Sequence, residues 1–285
     1  MNKLKPLPEE WSGLLNNEQK EAIENINGPL LIIAGAGSGK TRVLTYRYAH
    51  LIKTYGINFE NVLAITFTNK AANEMKDRIS DLLNLELSPK WISTFHSLCV
   101  KMLRIHGHLI GFNNNFTIYD QSDSTKLVRN CMRDSDIDTK QYSPKRIQAH
   151  ISSLKNQRIL PGEAVEFAQS FFDVKVAEIY SSYQKKLMLA NSMDFDDLLI
   201  KAVELLETSD KSLNYWSSKF QYIMIDEYQD TNMVQYRLVE LLASKHKNIC
   251  VVGDSDQSIY AFRGADIRNI EAVSYTHLTL PTMIR

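Results

Sequence analysis

An apolar run, Pro29–Ala34, leads into a loop of small residues, Ala34, Gly35, Ala36, Gly37, Ser38 and Gly39, which ends on Lys40 and Thr41 and opens into a helical pattern. Strand, glycine-rich loop and helix in that order suit the binding of a triphosphate. Backbone N–H groups of the loop and of the first helical turn converge on anionic oxygens. Lys40 would reach the β- and γ-phosphates, and Thr41 would offer its hydroxyl to Mg2+. The strict form of this loop starts on Gly, where this chain has Ala34. A glycine-rich turn that binds nothing is the plain alternative. The second half of such a site is an acid at the end of another buried strand. Tyr222-Ile223-Met224-Ile225 ends on Asp226-Glu227, placing Asp226 to hold Mg2+, often through water, and Glu227 to take a proton from an attacking water. Adjacent acids alone are a weak signal, because helix starts favour them; with the loop they become a strong one.

The elements that must position these groups follow from patterning. Up to about residue 108, apolar runs alternate with helical stretches: Pro29–Ala34 then Arg42–Ile52, Val62–Phe67 then Ala71–Leu83, Trp91–Thr94 then Leu98–Ile105. Such alternation predicts an α/β fold, a parallel sheet with helices on both faces. Residues 109–190 lose the alternation and read as an all-helical insertion, with turn signals at Ser143-Pro144 and Pro161-Gly162. Strand–helix alternation resumes over 191–272, with Phe220–Ile225, Val234–Leu242 and Asn248–Val252. The last stretch, 273–285, contains VSYTHLTLPT and resembles a conceptual translation of a sequencing-library adapter. It is expected to be a non-native tail beginning where a helical pattern should continue, with a genuine short strand as the alternative.

Composition narrows the classes. Lys and Arg number 33 and Asp and Glu 33, so the formal net charge is zero. A binder held to nucleic acid by sheer positive charge is excluded, and any such site must come from local patterning. Two acid-free stretches supply candidates: 87–119, with Lys90, Lys101 and Arg104, and 139–162, with Lys140, Lys145, Arg146, Lys155 and Arg158. A solvated helix surface accounts for the second equally well. No apolar run is long enough to span a bilayer, and the N-terminus lacks a secretory h-region. The cysteines Cys99, Cys131 and Cys250 form no paired motif, and the seven histidines show no metal-ligand spacing. A cytoplasmic location is expected.

Several further motifs agree in identity and order, and with them the chain from Leu15 to Ala272 resembles the first motor domain of UvrD/PcrA/Rep-type DNA helicases of superfamily one. They are LNNEQ at Leu15–Gln19, the phosphate loop, TFTNKAA from Thr66, STFHS from Ser93, DFDD from Asp194, DEYQDTN from Asp226 and GDSDQSIYAFRGA from Gly253. The resemblance implies a RecA-like P-loop NTPase fold, with ATP and Mg2+ as cofactors. It implies a nucleotide set of Gln19, which would read the adenine edge, with Ala34, Gly35, Ala36, Gly37, Ser38, Gly39, Lys40, Thr41 and Arg42. Gln257 would touch the γ-phosphate and join Lys40 and Glu227 in catalysis. On the DNA side it implies Phe67 and Phe262 as stacking platforms, with Thr94, His96, Tyr260 and Arg263 as further contacts. By residue type alone, Phe67 at a strand end reads as core, and His96 as a hydrogen bonder at a helix start. The chain has Ala261 where the family often has a basic residue or Gly, and Phe262 where it often has Trp.

The resemblance implies an ATP-dependent 3′–5′ helicase or translocase for the full-length protein, acting on single-stranded DNA and single-strand/duplex junctions. In this family a second motor domain follows the last of these motifs and supplies an Arg to the transferring phosphoryl group. The 285-residue chain is therefore expected to act alone as a nucleotide- and single-strand-binding half-motor. A nucleotide kinase would need a lid and a transporter ATPase a signature helix motif; neither pattern is found, and TFTNKAA and QSIYAFRGA have no place in either.

Overall fold

The computed structural model describes residues 4–35, 37–86, 89–254 and 282–284. Its helices are α1 (Glu9–Ser12), α2 (Asn17–Glu24), α3 (Lys40–Lys53), α4 (Asn69–Leu83), α5 (Phe95–His106), α6 (Gln121–Asp134), α7 (Pro144–Asn156), α8 (Phe171–Leu189), α9 (Phe195–Thr208), α10 (Asp210–Lys219) and α11 (Met233–Ala243). Its strands are β1 (Leu30–Ile33), β2 (Val62–Thr66), β3 (Ile92–Thr94), β4 (Thr117–Ile118), β5 (Ser192–Met193), β6 (Tyr222–Ile225), β7 (Ile249–Gly253) and β8 (Thr282–Ile284).

The chain forms two compact units. One comprises Met1–Leu98, Asp210–Thr231 and Val239–Arg285; the other comprises Cys99–Ser209 and Asn232–Leu238. In the first, the strand order is β3-β2-β6-β7-β1-β8 and every neighbouring pair is parallel. The fold is α/β, a RecA-like parallel sheet flanked by helices. Its inner strands β1, β2, β6 and β7 are near-continuous apolar runs because both faces are covered. Leu30, Ile32, Val62, Ala64, Met224, Cys250 and Val252 pack with α2, α3 and α4 in one core, while the alternate residues Leu31, Leu63, Ile65, Ile223, Ile225 and Val251 are also buried. Helix boundaries fall at polar caps, not at the first apolar residue. Thr68 accepts from the Ala71 N–H, which starts α4 at Asn69, ahead of the apolar pattern. Strand β8, in the stretch 273–285, sets Thr282 opposite Leu30.

The second unit is helical apart from the short parallel ladder β4–β5. Its core is built by α6, α7 and α8, including Val128, Met132, Ile147, Ile151, Val176 and Tyr180. Its bounds reach beyond 109–190 on both sides and take in 232–238.

Candidate active site

Because the strands run parallel, their C-terminal ends lie on one edge of the sheet, where open α/β sheets bind ligands. The residue after β1 is Ala34, that after β2 is Phe67, that after β6 is Asp226 and that after β7 is Asp254. Register fixes their relation. Ile33 lies opposite Gly253 and the Ala34 N–H donates to the Gly253 carbonyl at 3.1 Å; the Asp226 N–H donates to the Ile65 carbonyl at 3.0 Å.

The loop between β1 and α3 turns on glycines. Gly37 and Gly39 have φ of 76° and 87°, values that residues with a Cβ adopt at a cost. At Gly39 space is limiting too: a Cβ would lie 3.0 Å from Gln19 Nε2 and 3.8 Å from Arg42 Cβ. Ser38 Oγ donates to the Gly35 carbonyl at 2.7 Å, tightening the loop. Gly39 caps α3 without a side chain, and the first turn of α3 carries no acid. The N–H groups of that turn are left for an anion, with the helix dipole favouring one.

Lys40 is 8% exposed, and its ammonium donates to the Ala34 carbonyl at 3.0 Å and to Asp254 Oδ2 at 3.3 Å. Thr41 Oγ1 donates to Asp226 Oδ2 at 2.9 Å. Asp226 is 4% exposed, and burial pushes its carboxyl above the usual carboxylate range. Two hard oxygen donors thus converge where a cation would relieve a buried charge. This donor set suits Mg2+, which keeps waters in its remaining positions. Among the described residues no group of three or more His, Cys, Asp or Glu could hold a metal ion.

Glu227 follows in the left-handed region, φ 51°, a conformation that costs a non-glycine residue energy. Gln229 Nε2 donates to Glu227 Oε2 at 2.7 Å, and Gln229 Oε1 accepts the Asp254 N–H at 3.0 Å. This buried amide and Asp254 tie the acids after β6 to the end of β7 and to Lys40. Neither was singled out from the sequence, because an amide two residues beyond the acids carries no chemistry of its own. The signal lay in its place between Asp226-Glu227 and the next strand.

Gln19 sits in a capping box at the start of α2, where its Oε1 accepts the Asn16 N–H, and its Nε2 reaches the Ser38 carbonyl at 3.0 Å. It therefore lies against the phosphate loop, as does exposed Arg42 in the first turn of α3. Phe67, partly buried beyond β2, meets the Phe95 ring edge-on at 5.8 Å and 70°. Thr94 is buried. Its hydroxyl donates to Ser97 Oγ at 3.0 Å and accepts the Ser97 N–H at 3.3 Å, so it caps α5. His96 is in the first turn of α5, partly buried. Ala36, Gln257, Tyr260, Phe262 and Arg263 lie outside the described residues.

The basic stretch 139–162 needs one correction. Lys155 is not on a surface: its side chain is 0% exposed and its ammonium lies 2.7 Å from both Asp194 Oδ2 and Asp197 Oδ1. Tyr183 Oη donates to Asp194 Oδ2 at 2.8 Å. Arg158 pairs with Glu207 at 2.7 Å. The two cations answer carboxylates of the same unit.

A phosphate loop after the first strand and an acid after a central parallel strand define a P-loop nucleotide-binding protein. The family described as the UvrD/REP helicase N-terminal domain matches residues 15–277, and the chain belongs to that family. It is 50% identical over 256 residues to "ATP-dependent DNA helicase PcrA" of Staphylococcus aureus and to the protein of that name from Staphylococcus epidermidis. The alignment covers 90% of this chain and 35% of each relative, so the chain spans about a third of their length. Among the described residues no helix is long and apolar enough to cross a membrane.

Proposed function

We propose that the chain is the N-terminal ATP-binding portion of an ATP-dependent DNA helicase that moves 3′ to 5′ along single-stranded DNA and acts at single-strand/duplex junctions. The observation that carries this is the meeting of Lys40, Thr41 and Asp226 at the C-terminal edge of the sheet. Lys40 exchanges Asp254 and the Ala34 carbonyl for phosphate oxygens. The uncapped start of α3 binds the same anion. Gln19 and Arg42, which flank Gly39, would take the base side of the nucleotide. Thr41 and Asp226 would hold Mg2+, which neutralises charge on the phosphates. Glu227 takes the proton of the attacking water, its carboxylate steadied by Gln229. Gln257 reads the γ-phosphate, and Phe67 stacks on a base at the strand end, with Thr94, His96, Tyr260, Phe262 and Arg263 completing the DNA side. The division of the motor domain, 1–108 and 191–272 around a helical 109–190, with 273–285 as a tail, belongs to the same reading. So does a cytoplasmic location, consistent with three free, buried cysteines.

The test is the affinity of the chain for a labelled oligothymidylate with Mg·ATP analogue, with Mg·ADP and without nucleotide. Single-strand binding that weakens with salt and changes with the nucleotide is expected. Oligonucleotide affinity indifferent to nucleotide, or no binding at low salt, would contradict the coupling.

A further inference from the structure

The chain passes from the first unit into the second between Thr231 and Asn232. Residues 228–231, which link Glu227 to that point, form a tight turn. The Asp230 N–H donates to the Glu227 carbonyl at 3.0 Å, the Thr231 N–H to the Tyr228 carbonyl at 3.2 Å, and Thr231 Oγ1 to the same carbonyl at 2.7 Å. Tyr228, Gln229 and Thr231 are buried, so close packing makes the turn move as one piece. Asn232 then caps α11. Its Oδ1 accepts the Gln235 N–H at 2.9 Å, and its own N–H donates to Gln235 Oε1 at 3.0 Å. A cap needs only an oxygen, which Ser or Asp would supply as well. The Asn232 amide makes a further bond: its Nδ2 donates to Asn156 Oδ1, at the end of α7, at 2.8 Å. The Asn156 amide has one orientation, because its Nδ2 donates to the Ser152 carbonyl at 2.8 Å and to Asp196 Oδ1 at 3.2 Å, and a carbonyl and a carboxylate only accept. A second bridge ties α11 to the same unit: Glu207 on α9 accepts from Arg158, just past α7, and from Arg237 on α11, each at 2.7 Å.

Gln229, inside this turn, joins Glu227 to Asp254, and Asp254 pairs with Lys40. A phosphate that draws Lys40 away from Asp254 therefore acts on the turn, and the turn ends on Asn232. We propose that Asn156 is a positioning residue that, through Asn232, passes the state of the phosphate loop to the helical unit, so that the affinity of this unit for a single-stranded polyanion follows the bound nucleotide. This rests on the nucleotide and single-strand reading above. Helix α7 carries both ends of the path within the unit. Lys145 and Arg146 stand exposed in its first turn and, with exposed Lys140, offer cations to phosphates, while Asn156 closes its last turn. A packed helix is a rigid element that carries coupling along its length. One pair of amides then sets how far the two ligands feel each other, and neither amide touches nucleotide or DNA.

The experiment titrates a labelled oligothymidylate into the 285-residue chain, with Mg2+ and the β,γ-imido analogue of ATP and without nucleotide, and reads the ratio of the two affinities. The same ratio is read for Asn156→Ala and for Asn232→Asp, which keeps the cap oxygen and loses the donor that faces Asn156. Both variants should move the ratio at least about 2-fold towards one, with the affinity for the analogue alone unchanged. By linkage, the effect of the oligothymidylate on analogue affinity should shift by the same factor. The double variant should lose no more than the larger single loss, because both substitutions remove one bond. A wild-type ratio in both variants, whether or not the melting temperature falls, would mean a merely structural role and overturn the proposal. Losses that add in the double variant would overturn it too. If Asn156→Ala does not fold, Asn232→Asp decides. A wild-type chain that binds both ligands with a ratio of one overturns this proposal and leaves nucleotide binding standing. If the wild-type chain binds neither, the reading beneath it falls and this proposal with it.

Discussion

Thr41 Oγ1 donates to Asp226 Oδ2 at 2.9 Å across 185 residues of sequence. The contact joins the start of α3 to the end of β6 and puts both oxygens where a divalent ion would take them. Asp226 bears a cost for this, since its carboxylate is buried. Asp226→Asn should therefore raise the melting temperature of the nucleotide-free chain, by about 2–4 °C, while Mg2+ no longer improves ATP affinity. Calorimetry with and without Mg2+ checks both halves.

Gln229 is the joint between the acids after β6 and the end of β7. Gln229→Ala leaves the buried Asp254 N–H without its acceptor and Glu227 without its donor. An unsatisfied buried polar group costs about 1–3 kcal/mol. Urea unfolding should show a loss in that range, whereas Gln229→Glu should lose more, by setting a second carboxylate beside Glu227.

Lys155 neutralises Asp194 and Asp197 in the interior of the helical unit. Removing one member of a buried ion cluster costs about 3–5 kcal/mol, because the remaining charges stay buried. Lys155→Met should destabilise the helical unit by that amount in denaturant unfolding.

The same cluster sets a pH dependence. Burial pushes Asp197 up to about 6, above the roughly 3.9 of an unfolded chain. The folded chain thus binds this proton more tightly, so the stability the group contributes is complete below about pH 4 and lost as pH rises through about 6. Asp194 moves the other way: burial opposes it, but the Lys155 ammonium holds it below the usual range, so its contribution is lost only in stronger acid. Unfolding midpoints compared across this window should fall with pH more steeply in the wild-type chain than in Asp197→Asn.

Phe67 stands beyond β2 and meets the Phe95 ring edge-on. If it stacks on a base, Phe67→Ala should cost about 1–3 kcal/mol of single-strand affinity, roughly 5- to 150-fold, with nucleotide affinity retained. Fluorescence anisotropy with an oligothymidylate measures the first and calorimetry the second.

The sheet was readable because its inner strands are short apolar runs, LLII in β1 and YIMI in β6, the first ending in the glycine-rich loop and the second bounded by Gln221 and Asp226. The phosphate loop was readable because its glycines, Lys40 and Thr41 are adjacent in the chain. Contacts made across strand ends were not readable in the same way. That Asp254 faces Lys40, and that Gln229 links Asp254 to Glu227, depends on the β6–β7 register, with Ile225 opposite Val251. Lys155 read as part of a basic surface because nothing near it in sequence is acidic; its carboxylates lie 39 and 42 residues away. Three acids within Asp194–Asp197 were the available hint, since buried carboxylates need a cation. Thr94 shows a limit of residue type: a hydroxyl that can meet DNA also caps a helix, and here it caps α5.

On the proposed reading, Lys40 at the start of α3 makes this edge of the sheet a triphosphate site. Calorimetric titration of Mg·ATP into the wild-type chain and into Lys40→Ala tests it most directly. Saturable binding to the wild-type chain that is lost or weakened at least about tenfold in Lys40→Ala, a cost of about 1.4 kcal/mol, is the predicted result. Equal affinity in both chains would mean that the nucleotide binds elsewhere or that the loop holds no phosphate, and would contradict the account.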